Sequence, residues 1–331
     1  MLSTADFIHL PYTPDLTRSG IAYACRSLAH TYNRMGGDPF KRLRRIVAGI
    51  AVELAFRRHL TASEVPFDTL GATPFTDPDK YDIALGGRKC DVKSYMIFRK
   101  ERIRLIRRTP EILLNAEAIV PVDQVNSDHL PDDGLYIFGF LTALVTHSLA
   151  DLARALSGDQ PVYLIHPMPE NWSHPPHWRT LGNLVMKSDL AKGITLELGG
   201  QDASRKFATQ TIELPPHTRR PIPGDWHTAG YVASATNPNG SVGIHSPALN
   251  ETYLIEPRAW GNIWVYGMEI ILTGYISGGE FRRKGRRIPE GTPVFQYPLT
   301  RTENIALPMR ELHPLHDLFD RAKAWPQKKM K

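Results

Sequence analysis

Residues 81–94 read Tyr-Asp-Ile-Ala-Leu-Gly-Gly-Arg-Lys-Cys-Asp-Val-Lys-Ser, with apolar and polar side chains alternating on both sides of a Gly-Gly pair. That pattern specifies a β-hairpin closed by a two-residue turn at Gly86 and Gly87, because both central positions of such a turn need positive φ, which glycine adopts without strain. The turn length fixes the register, and Asp82 then faces Asp91. Side chains alternate between the faces of a strand, so Tyr81, Ile83, Leu85, Cys90 and Val92 form one apolar face fit for a core. Asp82, Lys89, Asp91 and Lys93 share the other.

Two carboxylates set directly across a strand pair repel each other. A hard divalent cation between them converts the repulsion into coordination. Lys93, two residues beyond Asp91 on the same face, then reaches a water or a phosphate at that cation. The plain alternative is a charged hairpin facing solvent. Upstream, Asp38-Pro39 offers a cap and a first-turn proline for a helix running to about residue 60. Leu43, Ile46, Val47, Ile50 and Leu54 lie along it at helical spacing, with Ala48, Gly49, Ala51 and Ala55 allowing close packing. Glu53 borders that stripe, where it either pairs with Arg57 or leans over the hairpin as a third acid for the same cation.

Elsewhere the pattern is that of a mixed α/β chain. Helices are expected at 17–34 and about 148–156, and strands at 118–125 and 135–141, which makes residues 1–156 one sheet domain flanked by helices. Residues 157–331 read as a second, β-rich domain with short strands between Pro, Gly and Asn turns, and 262–300 are placed so that they could rejoin the first sheet. A further strand is expected at 294–297. Five of the six tryptophans, Trp172, Trp178, Trp226, Trp260 and Trp264, fall between residues 172 and 264, where a core role and a base-stacking role both fit the residue type. His166, His174 and His177 cluster in sequence without any metal-ligand spacing.

The formal charge of +6 gathers in three runs, 41–45, 99–108 and 282–287. From them Arg44, Arg45, Arg99, Lys100, Arg102, Arg104, Arg283 and Lys284 are candidate phosphate contacts, with a solvated helix face as the alternative for any single run. With 42% hydrophobic residues, no apolar run long enough to cross a bilayer and no secretion-type leader, the composition is that of a soluble, cytoplasmic protein. Two cysteines without paired spacing exclude a disulfide framework and a zinc knuckle.

Glu53 on a helix, Asp82 on one strand and Asp91-Val92-Lys93 on its hairpin partner resemble the PD-(D/E)XK nuclease superfamily, the restriction-endonuclease-like fold. Residue 81 is tyrosine where the family motif often has proline, and Ser94 stands at a position that is frequently polar in the family. The resemblance implies a metal-dependent endonuclease that hydrolyses DNA phosphodiester bonds in prokaryotic restriction or antiviral defence. It implies catalytic roles for Glu53, Asp82, Asp91 and Lys93, and Mg²⁺, replaceable by Mn²⁺, held by Asp82, Asp91, the Val92 carbonyl and Glu53. DNA is the expected partner, with a homodimer or a second defence subunit left open. The alternatives are a non-catalytic nucleic-acid-binding or assembly subunit and an RNase using the same site.

Overall fold

In the computed structural model, the described residues are 2–27, 39–69, 83–126, 130–145, 149–157, 163–262, 264 and 267–325. In chain order the first segments carry β1 (Ile8–Leu10), α1 (Pro14–Ser27), α2 (Pro39–Ala62), β2 (Ile83–Leu85), β3 (Arg88–Ile97), α3 (Lys100–Arg108), β4 (Glu117–Pro121), the short α4 (Val122–Val125), β5 (Leu135–Thr142) and α5 (Leu149–Ser157). Then follow β6 (Leu164–Pro167), α6 (Glu170–Ser173), β7 (Val185–Ser188), β8 (Ile194–Gln201), β9 (Phe207–Leu214), β10 (Arg219–Pro221), β11 (Thr228–Ser234), β12 (Val242–Ser246), β13 (Glu251–Ile255) and β14 (Gly261–Asn262). The chain closes with β15 (Glu269–Ser277), α7 (Gly278–Lys284), β16 (Arg286–Ile288), β17 (Asn304–Pro308) and α8 (Leu315–Ala324).

These elements form a mixed α/β architecture of two compact units that do not follow a single cut at 156/157. One unit comprises Met1–Leu16, Ala48–Leu144 and Gly267–Lys331, and the other Thr17–Val47 and Val145–Tyr266. The first unit holds a five-stranded sheet in the order β1-β15-β5-β3-β2 and a three-stranded sheet β16-β17-β4. In the larger sheet β3 and β5 run parallel, Cys90 beside Leu135 through Ile97 beside Thr142. The neighbouring pairs β2/β3, β5/β15 and β1/β15 are antiparallel.

The hairpin has its expected two-residue turn. Ile83 pairs with Cys90, Ala84 with Lys89 and Leu85 with Arg88, with Gly86 at φ 55° and Gly87 at φ 78°. Ile83, Leu85 and Cys90 are fully buried, as the alternation requires, while Val92 is half-buried. Tyr81 and Asp82 lie outside the described residues. Helix α2 buries Leu43, Ile46 and Val47 of the expected stripe, with Ala48, Ala51, Val52, Ala55 and Phe56 buried beside them, while Ile50 and Leu54 are half-buried. Phe56 packs against Phe319 of α8, ring centroids 6.2 Å apart. The helix expected at 17–34 begins at Pro14, and residues 28–38 lie outside the described residues.

Two expected strands are corrected. The run 118–125 is extended only to Pro121, after which Val122–Val125 form a helical turn closed by the Asn126 N–H on the Val122 carbonyl. Residues 294–297 form a turn closed by Val294 N–H on the Tyr297 carbonyl. That turn delivers Phe295 and Tyr297 onto the sheet face that carries Tyr95 and Phe140, the rings meeting at 6.2 Å for Tyr95–Tyr297 and 6.5 Å for Phe140–Phe295. Tyr95 also joins the two sheets. Its hydroxyl donates to the Ile119 carbonyl (2.9 Å) and accepts from the Ile119 N–H (2.7 Å), satisfying the open edge of β4.

The second unit holds two antiparallel sheets, β14-β6-β11-β8-β9 and β10-β7-β12-β13. Four of its tryptophans, Trp172, Trp226, Trp260 and Trp264, are buried. Trp178 is half-buried, its ring covered by the Arg205 guanidinium 4.5 Å from the centroid. His166 is a core residue: Nδ1 lies 2.9 Å from the Ala259 carbonyl and Nε2 2.9 Å from the Tyr253 hydroxyl. A carbonyl only accepts, so Nδ1 carries the proton and Nε2 accepts from the tyrosine, which is the neutral imidazole. No role as a metal ligand is left for its ring nitrogens.

Two consequences can be measured. Tyr95→Phe strands both Ile119 backbone groups and should cost about 1–3 kcal/mol in urea unfolding. For His166, burial lowers the pKa, with the Ala259 carbonyl opposing. The unfolded state therefore binds the proton more readily, and stability is complete above the ordinary histidine pKa of about 6.5 and declines as pH falls below it. Melting scans between about pH 7.5 and 5.5 should show that decline, and His166→Gln should flatten it.

Candidate functional site

Strand β3 leaves the Gly-Gly turn with Lys89, Asp91, Lys93 and Tyr95 on one face, since residues two apart share a face. Across the parallel ladder, Asp91 stands beside Tyr136 and Lys93 beside Phe138. Lys93 Nζ is 2.7 Å from Asp91 Oδ2, a charge-assisted bond between half-buried side chains of 20% and 27% exposure. The face thus changes along its length from ionic to aromatic. Tyr136 packs edge-on to Phe281 of α7 at 5.2 Å, Phe138 lies 5.9 Å from Phe281, and Tyr95 lies 5.5 Å from Phe140.

Both tyrosines feel the carboxylate. Burial first, and the Asp91 charge second, push the Tyr136 phenol up, with Arg282 partly opposing. Tyr95 is raised mainly by burial, with Tyr297, Asp91 and Glu117 adding and the Ile119 hydrogen bond opposing. Each phenol is therefore a donor and not an anion over the working range of pH. The sequence reading did not single out Tyr95, although its position four residues along the same strand is the signal that places it on the face of Asp91. Tyr136 was not legible, because its place beside Asp91 depends on a pairing across 45 residues that no local pattern encodes.

Of the four residues expected to converge, the structure brings together Asp91 and Lys93. Glu53, on α2, is paired with Arg57 one turn later and is 14% exposed. Asp82 lies outside the described residues. Among the described residues no group of three His, Cys, Asp or Glu side chains is close enough to hold a metal ion. Asp91 and the Val92 carbonyl are oxygen donors of the kind Mg²⁺ takes, but a hard divalent cation needs more of them than these two supply. The described donors therefore fit such a cation in kind and fall short in number.

The basic residues divide by environment. Arg99 and Arg104 are exposed, and Lys100 is half-buried, at the start of α3. Arg102 is turned inward, its guanidinium bonded to the Phe295 carbonyl and 4.9 Å from that ring. That bond ties α3 to the 294–297 turn. Arg283 is exposed, and Lys284 pairs with Glu280 at 2.7 Å. Arg44 and Arg45 are half-buried.

No family model matches the chain, and neither the curated proteins nor the solved structures contain a significant match to it. Among the described residues no helix is long and apolar enough to cross a membrane.

If Asp91 is the main electrostatic partner of Lys93, then Asp91→Ala leaves a half-buried ammonium unpaired and should destabilise more than Asp91→Ala in a Lys93→Met background. A double-mutant cycle in urea should return a coupling of about 0.5–3 kcal/mol. A coupling of zero would show that the pair is decorative.

Proposed function

We propose that this protein is a metal-dependent nuclease that hydrolyses phosphodiester bonds of DNA, with Asp91 and Lys93 at its active site and a restriction-endonuclease-like sheet as its scaffold. The observation that carries the reading is the Asp91–Lys93 pair on a strand that follows a tight hairpin and lies parallel to its next neighbour, β5. Supporting it is the sequence position of Asp82, immediately before the paired residue Ile83, which supplies the second carboxylate of the reading, with Glu53 as the third.

In this reading Asp91, the Val92 carbonyl, Asp82 and Glu53 would hold Mg²⁺, which would supply polarisation of the scissile phosphate and a water of lowered pKa. Lys93 lies within reach of Asp91, so its ammonium is positioned to orient that water or to neutralise charge building on the phosphate oxygens. The exposed Arg99, Arg104 and Arg283 grip backbone phosphates, which gives affinity without sequence information. A setting in prokaryotic restriction or antiviral defence, with the β-rich unit reading the target or a partner, belongs to the same proposal.

One observation favours a second reading, a non-catalytic nucleic-acid-binding or assembly subunit. Asp91 already has Lys93 as its counter-ion, and no three-acid group occurs among the described residues.

Incubation of the purified chain with plasmid DNA, and in parallel with RNA, decides between them. The nuclease reading expects nicking or cutting of DNA with Mg²⁺ or Mn²⁺, abolished by EDTA and reduced at least about a hundredfold by Asp91→Ala and by Lys93→Ala. Salt-sensitive DNA binding with no cleavage under any divalent ion would support the second reading, and cleavage of RNA alone would move the substrate.

A further inference from the structure

Trp325 follows the last turn of α8 and lies against the Gly86-Gly87 turn, so closely that a Cβ added at Gly86 would come within 2.3 Å of its Cε3 and 2.8 Å of its Cδ2. The glycine thus serves twice, for its φ of 55° and for the room it gives the indole. Arg88, the first residue of β3, sets its guanidinium 4.3 Å from the centroid of the ring. Earlier on the same helix, Phe319 packs on Phe56 at 6.2 Å and on His59 at 5.6 Å, both on α2. Just before α8, His313 is anchored to Tyr275 of β15 by two backbone hydrogen bonds, of 2.8 and 2.9 Å.

The helix therefore touches both elements on which the candidate site depends. One is α2, which carries Glu53 one turn before Phe56 and so beside it on the helix surface. The other is the hairpin, which carries Asp91, with Asp82 next to Ile83 in sequence. Register alone does not call for the contact. Pairing with β5 already fixes β3, whereas β2 is an edge strand held by three ladder pairs and one bridge from Asp68 to Ala84. A ladder that short leaves a hairpin tip marginal unless something packs on it. We infer that Trp325 is a positioning residue of this site: it clamps the hairpin turn so that, through α8, Asp82 and Asp91 stand at a fixed distance from Glu53. The inference rests on the nuclease reading and extends it to a residue that the sequence motif does not contain.

Steady-state cleavage of duplex DNA with Mg²⁺ by Trp325→Ala and Trp325→Phe tests this. A misplacement of about 1 Å far from the chemistry costs up to about a hundredfold, so kcat of the alanine variant should fall at least about tenfold. KM for DNA should stay unchanged, because no phosphate contact is removed, and the Mg²⁺ concentration giving half activity should rise. Trp325→Phe, which restores a flat ring against Gly86, should recover most of the loss. If the alanine variant does not fold, Trp325→Leu, which keeps apolar bulk without the flat ring, reads the same split. A kcat equal to that of a cleaving native chain overturns the inference and leaves the nuclease reading standing. So does a fall in kcat matched by a rise in KM and a lower urea midpoint that phenylalanine does not reverse, the mark of a tryptophan that serves the fold alone. A native chain that cleaves no DNA with Mg²⁺ or Mn²⁺ removes the nuclease reading, and the role of Trp325 falls with it.

Discussion

The parallel pairing of β3 with β5 is the constraint on which the first unit depends. Parallel neighbours cannot be joined by a tight turn, and the connection between them must leave the sheet and return. Here residues 98–134 do so through α3, β4 and α4, and on the way they build part of the small second sheet. The pairing fixes β3 on one side, the Gly86-Gly87 turn fixes it against β2 on the other, and the strand between has little freedom of register. Asp91 and Lys93 inherit that rigidity, which is what the catalytic pair proposed above would need from its scaffold.

A second consequence concerns what surrounds the pair. The polar face of the hairpin does not end in solvent but runs into an aromatic cluster. α7 contributes Phe281 and the 294–297 turn contributes Phe295 and Tyr297, so one side of Asp91 and Lys93 meets aromatic core and the other the turn of the hairpin. Arg102 helps to hold that turn by its contact with Phe295, which shows that a basic run in sequence can contain a residue whose work is structural.

The hairpin was legible because its information is local: a Gly-Gly pair and strict alternation specify turn, register and face together. The charged face was legible for the same reason, as far as Lys93. What stayed hidden was set by distant partners. The first half of the α2 stripe, Leu43, Ile46 and Val47, was legible, whereas the burial of Phe56 was not, because its partner Phe319 lies more than 250 positions later. The strand expected at 294–297 became a turn because Phe295 and Tyr297 are drawn onto aromatic partners on the sheet. Nothing in the alternation of 135–141 marks Tyr136 as the neighbour of Asp91. The coordinating set itself rests on Asp82 and Glu53, of which the first lies outside the described residues and the second is engaged with Arg57.

The central claim is that the carboxylate of Asp91 ligates a divalent cation and gives up its contact with Lys93 to do so. Anomalous diffraction from crystals soaked in Mn²⁺ tests it most directly. The account predicts a peak within about 2.5 Å of the Asp91 carboxylate, with Lys93 Nζ moved away from Oδ2. A saturating soak that leaves no peak beside Asp91, with the ion pair intact, would contradict it.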